Sequence, residues 1–170
     1  MHQHNKLVIE ELTDEAFAEF GDVIDTSNKA FNKINWDYTK KFYDLADIDV
    51  ADDGGRAAMH LFQTRPMGYP LEITMLEKHP KGSQSFLPLV GEKFFIVVAP
   101  KGDSINEEKI RCFLSNGRQG VNYAKGVWHH PALAWDKLTH FVVVDRYPSN
   151  DNLVEMELVV PKILCPPDAS

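Results

Sequence analysis

The chain has 170 residues and carries 18 Lys and Arg against 25 Asp and Glu, which gives a formal net charge of −7. A chain of this length is most simply one domain that buries about 70% of the surface its unfolded form exposes, so its core needs no disulfide or structural metal. The acidic balance, without any block of Lys or Arg, argues against nucleic acids and anionic membranes as partners, because both are bound through clustered basic residues. A small anionic ligand remains compatible with this charge.

The cysteines and the N-terminal pattern predict a cytoplasmic protein. Only Cys112 and Cys165 are present, far apart and without CxxC spacing, so we expect a core thiol and a tail thiol. The opening residues lack the basic-then-apolar pattern of a signal peptide, and no apolar run approaches 18 residues. His2 and His4 have a metal-like spacing but carry little weight, because terminal residues are usually mobile.

The N-terminal residues predict a short strand followed by a helix. The strand is indicated by the apolar run at 7–9. The helix is predicted from Thr13 to Gly21, with Thr13 as N-cap and Gly21 just past the end. Phe17 and Phe20 are expected to dock this helix on the body of the protein.

A polar segment follows at residues 25–41 and predicts a surface excursion. Phe31 and Trp36 lie within it. We expect these aromatic rings either to anchor the segment on the body or to cover a partner subunit.

From residue 42 onward, short apolar runs alternate with Gly and Pro turns. Strands at roughly 8–12-residue spacing, without βαβ alternation, are typical of an antiparallel sandwich or barrel. The run at 93–99 is apolar on both faces, as a central strand should be. The predicted strands cover residues 57–62, 71–79, 86–89, 93–99, 120–123, 127–130, 139–146 and 153–160.

One helix is predicted within this β region, between Asn106 and Gly117. Ile110, Phe113 and Leu114 have the i, i+3, i+4 spacing of a helix face. Asn106 is a suitable N-cap, acidic residues follow it, and Gly117 ends the pattern.

The stretch that begins at Glu77 carries the polar groups best suited to chemistry. An apolar, inward-looking strand face ends in Glu77 and His79, which lie two residues and roughly 6.6 Å apart on the same side of the strand. Gln84 follows a Pro/Gly turn and is expected to fold back towards them. By spacing alone, a satisfied hydrogen-bond network explains this group as well as a functional site does.

His129 adds a second motif, and together the two motifs resemble the cupin superfamily. Glu77-x-His79, four residues, Gln84, six residues and a Gly follow the spacing of the first cupin motif, and a Gly-x-x-His pattern ending at His129 follows the second. The resemblance implies a mainly β fold: a cupin-like double-stranded β-helix barrel with a short N-terminal helix, in a single domain covering residues 1–170.

The cupin resemblance also implies a metal site formed by Glu77, His79, Gln84 and His129. Glu77 replaces the first His of the family pattern, and Gln84 replaces its Glu. A carboxylate and two imidazoles suit a first-row divalent ion such as nickel, whereas a neutral carboxamide is a weak ligand. We therefore expect a divalent metal that is weakly bound or absent.

A wider set of motifs resembles the ureidoglycolate lyase family. Several independent blocks agree with that family in order and spacing. They are Phe20 to Ile24, Glu77 to Pro88, Asn116 to Tyr123, Trp128 to Pro131 with Trp135, and Asp145-Arg146. The resemblance implies a lyase that splits (S)-ureidoglycolate into glyoxylate and urea in allantoin and purine catabolism. It also implies a homodimer that binds a small anionic substrate.

The expected roles of the candidate residues follow from their chemistry. Groups able to move protons or hold a metal form the catalytic set, which comprises Glu77, His79, Gln84 and His129. Groups able to contact the substrate form a second set, which comprises Tyr123, Lys125 and Arg146, and Arg offers a carboxylate a bidentate fork. His130 follows His129 in a strand and points to the opposite face, so we expect a packing or interface role for it.

Two other functions fit the same motifs. A cupin isomerase or decarboxylase of another small hydroxy acid would share the site but would lack the block at 116–123. A non-catalytic cupin that binds a small acid is favoured by Gln84 in place of a charged ligand. The chain shows no DNA-binding or partner-domain segment that would support this second alternative.

Overall fold

The computed structural model describes residues 5–167 and shows a mainly β protein with one short helix, α1 (Asp14–Phe17). His2 and His4 lie outside the described residues. None of the helices in the described part has the length and apolar character needed to cross a membrane. The strands are β1 (Ile9–Glu11), β2 (Gly21–Ile24), β3 (Phe31–Ile34), β4 (Thr39–Phe42), β5 (Arg56–Thr64), β6 (Leu71–Lys78), β7 (Gln84–Pro88), β8 (Phe94–Ala99), β9 (Arg111–Leu114), β10 (Gly120–Tyr123), β11 (Trp128–His129), β12 (Leu133–Ala134), β13 (Thr139–Tyr147) and β14 (Val154–Leu164).

Two sheets face each other and enclose the main core. Sheet A has the order β1-β9-β8-β11-β6-β14, with β12 paired to β8, and sheet B has the order β2-β10-β7-β13-β5. All pairs are antiparallel except β1 with β9. Phe94 and Phe113 of sheet A pack with Phe86 and Phe141 of sheet B in one buried cluster. This arrangement confirms the predicted mainly β, barrel-type fold.

A second core lies on the other face of sheet A, and β8 serves both cores. Alternate residues of β8 point to opposite sides: Phe94, Ile96 and Val98 belong to the inner cluster, and Phe95 and Val97 to the outer one. All six residues of β8 are buried. The prediction of a central strand that is apolar on both faces is therefore confirmed.

The N-terminal helix is present but shorter than predicted. Thr13 is the N-cap, and its Oγ1 accepts a hydrogen bond from Ala16 N–H at 3.1 Å. Phe17 and Phe20 are fully buried, as expected. The helix ends at Phe17, well before Gly21, which instead begins β2 at a place where a Cβ would lie 1.8 Å from a backbone oxygen of β10. The preceding strand begins at Ile9, two residues later than predicted.

The helix predicted between Asn106 and Gly117 is wrong. Only a 3-10 turn forms there, at Glu107–Lys109, and it is followed by β9. Cys112 belongs to the outer cluster and Phe113 to the inner one. Successive residues of β9 face opposite cores, and the apolar residues that result have the same spacing as a helix face.

The predicted surface excursion at 25–41 contains an exposed hairpin formed by β3 and β4. β3 and β4 pair with each other, and the rings of Phe31 and Phe42 lie 5.4 Å apart. Trp36 at the tip is 92% exposed. The expectation that Trp36 anchors the segment on the body is therefore wrong, whereas its alternative role of covering a partner subunit stays a prediction.

Candidate active site

Glu77, His79 and His129 meet at one end of the barrel. Glu77 near the end of β6 pairs with His129 on β11, and His79 follows directly after β6. Glu77 Oε1 lies 3.5 Å from His129 Nε2 and 3.9 Å from His79 Nε2. One atom from each of the three residues lies within 4.8 Å of the others. The structure thus brings together two residues from one stretch and a third from a strand 50 positions further along.

His129 carries a free lone pair into this group. Its Nδ1 lies 3.1 Å from the carbonyl oxygen of Val127, which can only accept, so the ring hydrogen is on Nδ1. Its Nε2 is buried and finds no hydrogen-bond partner among residues 5–167. The ring is stacked on Tyr123, with centroids 4.2 Å apart and planes 8° from parallel. The stack and the Val127 contact fix the direction in which Nε2 points.

The protonation states of His129 and Glu77 follow from burial and from their closeness. Burial lowers the pKa of His129 by more than the neighbouring carboxylate raises it, so this imidazole is neutral at neutral pH. Burial raises the pKa of Glu77, but the approach of His129 and then of His79 lowers it by more. Glu77 is therefore a carboxylate held beside a neutral imidazole.

His79 presents both of its ring nitrogens to oxygen atoms. Nδ1 lies 2.7 Å from the carbonyl oxygen of Asn152, and Nε2 lies 3.2 Å from Oε1 of Gln84. Both of these oxygens are acceptors, so each ring nitrogen of His79 can donate to the oxygen it faces when it carries the hydrogen. His79 is thereby arranged as a proton donor, in contrast to His129.

The pH dependence of activity should reflect the lowered pKa values of Glu77 and His129. Ionised Glu77 and neutral His129 exist above these pKa values, and each form is lost as the pH falls through the corresponding pKa. Because both pKa values lie below their ordinary values of 4.5 and 6.5, we expect the acid limb of kcat/KM to have its midpoint below pH 6.5. A pH profile of kcat/KM measures this, and a midpoint at or above 6.5 would contradict the assignment.

The donor set fits a first-row divalent ion. A carboxylate with two imidazoles suits such ions, and the unpartnered Nε2 of His129 lies 3.5 Å from Glu77 Oε1. Gln84 is differently placed, because its nitrogen donates to Asp145 and its oxygen faces His79. Glu77, His79 and His129 are therefore the three residues that would hold an ion.

The three candidate substrate-binding residues make different kinds of contact. Tyr123 is within the site through its stack with His129, and burial raises its pKa. Lys125 pairs with Asp49 and Asp52 at 3.0 and 2.8 Å. The buried guanidinium of Arg146 donates to backbone carbonyls, including that of Asp52. Contact of these residues with substrate stays a prediction.

His130 is buried next to His129, and its Nδ1 contacts the carbonyl oxygen of Pro131 at 2.9 Å. This placement fits a packing role.

Asp145 and Asn152 were not predicted as site residues, although they contact Gln84 and His79, respectively. The signal for Asp145 was present in the pattern of β13, where a carboxylate ends an inward-facing apolar series, as Glu77 does in β6.

The family model and three relatives that match this chain carry the same family name. The sequence model of the ureidoglycolate lyase family matches residues 4–164. The chain is 53% identical over 152 residues to the ureidoglycolate lyase of Burkholderia mallei strain NCTC 10229, covering 89% of each chain. It is 50% identical over 150 residues to that of Pseudomonas savastanoi pv. phaseolicola, covering 88% of each. It is 49% identical over 149 residues to that of Pseudomonas putida F1, covering 88% of this chain and 89% of the relative.

Proposed function

Because the chain belongs to the ureidoglycolate lyase family, we propose that it splits (S)-ureidoglycolate into glyoxylate and urea in the breakdown of allantoin. The observation that carries this proposal is the position of two histidines beside Glu77, one suited to accept a proton and the other to donate one. On one side His129 Nε2 is unpartnered, and on the other His79 Nε2 faces the Gln84 oxygen, which accepts a hydrogen bond when that nitrogen carries the hydrogen. A lyase of this kind needs a base and an acid a few ångströms apart.

The proposed cleavage moves one proton from oxygen to nitrogen. The substrate carries a hydroxyl, a carboxylate and a ureido nitrogen on the same carbon. His129 Nε2, or the Glu77 carboxylate beside it, accepts the hydroxyl proton; the oxygen electrons form the C=O of glyoxylate, and the C–N electrons leave with nitrogen. His79 Nε2–H protonates that nitrogen, which releases urea. Glu77 Oε1 lies within 4 Å of both imidazoles and can return the proton to His79.

A divalent ion, when bound, would polarise the substrate hydroxyl and lower its pKa. Glu77, His79 and His129 would hold it. His79 would then have to give up the hydrogen on Nε2 and its contact with Gln84. We therefore propose that the metal is held weakly and that protein side chains supply all of the acid and base groups.

The test is direct. Purified protein is incubated with fresh (S)-ureidoglycolate, with and without added Ni²⁺, and glyoxylate is followed over time. We expect release well above the spontaneous rate in at least one of the two conditions. Release no faster than the spontaneous rate in both would reject the lyase and leave a different hydroxy-acid enzyme or a binding protein.

A homodimer is part of the proposal. Large apolar side chains are exposed on the β3–β4 hairpin and on β5, an edge strand of sheet B. Trp36 and Tyr38 are 92% and 91% exposed, and Met59 and Leu61 are 72% and 70% exposed. Contiguous exposed apolar patches mark protein interfaces, and we propose that these groups contribute to one in the dimer. Light scattering after gel filtration should give twice the chain mass, and a single chain mass would reject the dimer.

We also propose a cytoplasmic location, which the state of the cysteines supports. Cys112 is buried and Cys165 is partly buried, and both are free thiols within the described part of the chain. Unpaired thiols are usual in a reducing compartment. Cell fractionation would test this, and recovery in the membrane or secreted fraction would contradict it.

A further inference from the structure

A row of hydrogen bonds leads away from the site across three neighbouring strands of sheet B. Gln84 on β7 donates from Nε2 to Oδ2 of Asp145 on β13 at 3.2 Å. The other carboxylate oxygen of Asp145 lies 3.1 Å from His60 Nε2 on β5. On the site side, Oε1 of Gln84 lies 3.2 Å from His79 Nε2. We propose that Asp145 is a positioning residue that turns the Gln84 carboxamide so that its oxygen faces His79.

The two ends of a carboxamide are similar in shape and opposite in hydrogen-bond chemistry. One end accepts and the other donates, and the neighbours decide which end points where. An ionised carboxylate only accepts, so Asp145 can be satisfied only by the NH₂ end of Gln84. Gln84 is 6% exposed, so water competes little for either end. His60 contacts the second oxygen of Asp145 and helps to hold the carboxylate in place.

The orientation matters for the cleavage, and this step rests on the proposed function. An oxygen at the Gln84 position accepts the hydrogen of His79 Nε2 and fixes the plane of that ring. An amide nitrogen at the same place would donate to His79 instead, and the ring would then present a lone pair where the reaction needs an N–H. Asp145 does not itself reach His79, so it acts through Gln84.

A spectroscopic test examines the orientation without using activity. In ¹⁵N-labelled protein, the side-chain NH₂ signal that disappears in Gln84→Glu belongs to Gln84. A bond to a charged acceptor is expected to shift one of its two protons strongly downfield. We expect Asp145→Asn to reduce or remove that shift, while Asp136→Asn, a change at an exposed loop residue, leaves it in place. An unchanged signal in Asp145→Asn would overturn the proposal.

Kinetics of single and paired variants provide the second test. Asp145→Asn should lower kcat about tenfold or more, as expected for loss of a hydrogen bond to a charged acceptor, with KM within about twofold of wild type. Gln84→Glu should also lower kcat, because two carboxylates would then face each other. The double variant exchanges donor and acceptor, so the amide at 145 can hold a carboxylate oxygen towards His79. We expect it to be more active than either single variant.

The outcomes separate the two proposals. A double variant that shows the full product of the two single losses would overturn the positioning role, since independent sites add in this way. Thermal unfolding of each variant identifies losses of kcat that are caused by misfolding. In that case the NMR spectrum alone decides whether Asp145 orients Gln84. Wild-type protein that releases no glyoxylate would reject the proposed function, while the NMR comparison would still decide how Gln84 is held.

Discussion

Replacement of His129 by alanine is expected to lower kcat for ureidoglycolate cleavage by about 10²–10⁴-fold, the range typical of a matched acid or base. The Nε2 of His129 is a buried lone pair with a direction set by Val127 and by the Tyr123 stack. No other described side chain has this combination next to Glu77. Steady-state glyoxylate release measures the effect.

The matched control is His140→Ala. His140 lies on β13 and contacts the side chain of Gln63 at 3.0 Å, in an exposed setting away from the site. This variant should keep a rate close to that of wild type. A His129→Ala protein with an undiminished rate and an unchanged unfolding temperature would remove His129 from the site.

Replacement of Glu77 by glutamine is expected to lower kcat by a similar 10²–10⁴-fold and to weaken the binding of divalent ions. The change keeps the shape of the side chain but removes the negative charge that lies within 4 Å of both imidazoles. The variant can neither accept a proton from one histidine nor return it to the other. Kinetics with and without Ni²⁺, together with a calorimetric titration of Ni²⁺ in the absence of substrate, measure the two effects separately.

Glu72→Gln is the matched control for this variant. Glu72 belongs to the same strand, β6, but is exposed, so the same chemical change there should leave both kcat and ion binding near wild-type values. If Glu77→Gln lost activity while Ni²⁺ binding stayed unchanged, the carboxylate would act on protons only. If neither property changed, Glu77 would not belong to the site.

Much of the site could be predicted because its residues sit at fixed positions along strands. Glu77 and His79 follow the alternation of β6, and the motif spacing placed His129 opposite them, where it pairs with Glu77. Tyr123 was expected near the cavity and is stacked on His129. Strand alternation and motif spacing can both be seen in the sequence, so the closeness of these residues was predictable, while their roles stay predictions.

Other features depend on contacts between distant parts of the chain and were missed. Arg146 reaches the carbonyl oxygen of Asp52, 94 positions away, because the loop at Asp52–Gly54 lies beside the end of β13. Asn152 contributes a backbone carbonyl to His79, and a backbone group has no signature in the sequence. The predicted helix failed for a related reason, since only the tertiary structure shows that β9 has a core on each side.

The two residues of β11 face opposite sides of sheet A, and this limits which substitutions the protein tolerates there. Trp128 is fully buried in the outer cluster, while the next residue, His129, carries the unpartnered nitrogen of the site. A substitution at Trp128 would shift the backbone that aims His129, so it would be recorded as a loss of catalysis although the indole faces away from the substrate. In a mutational scan, the outer core along β11 should therefore show the low tolerance of an active site.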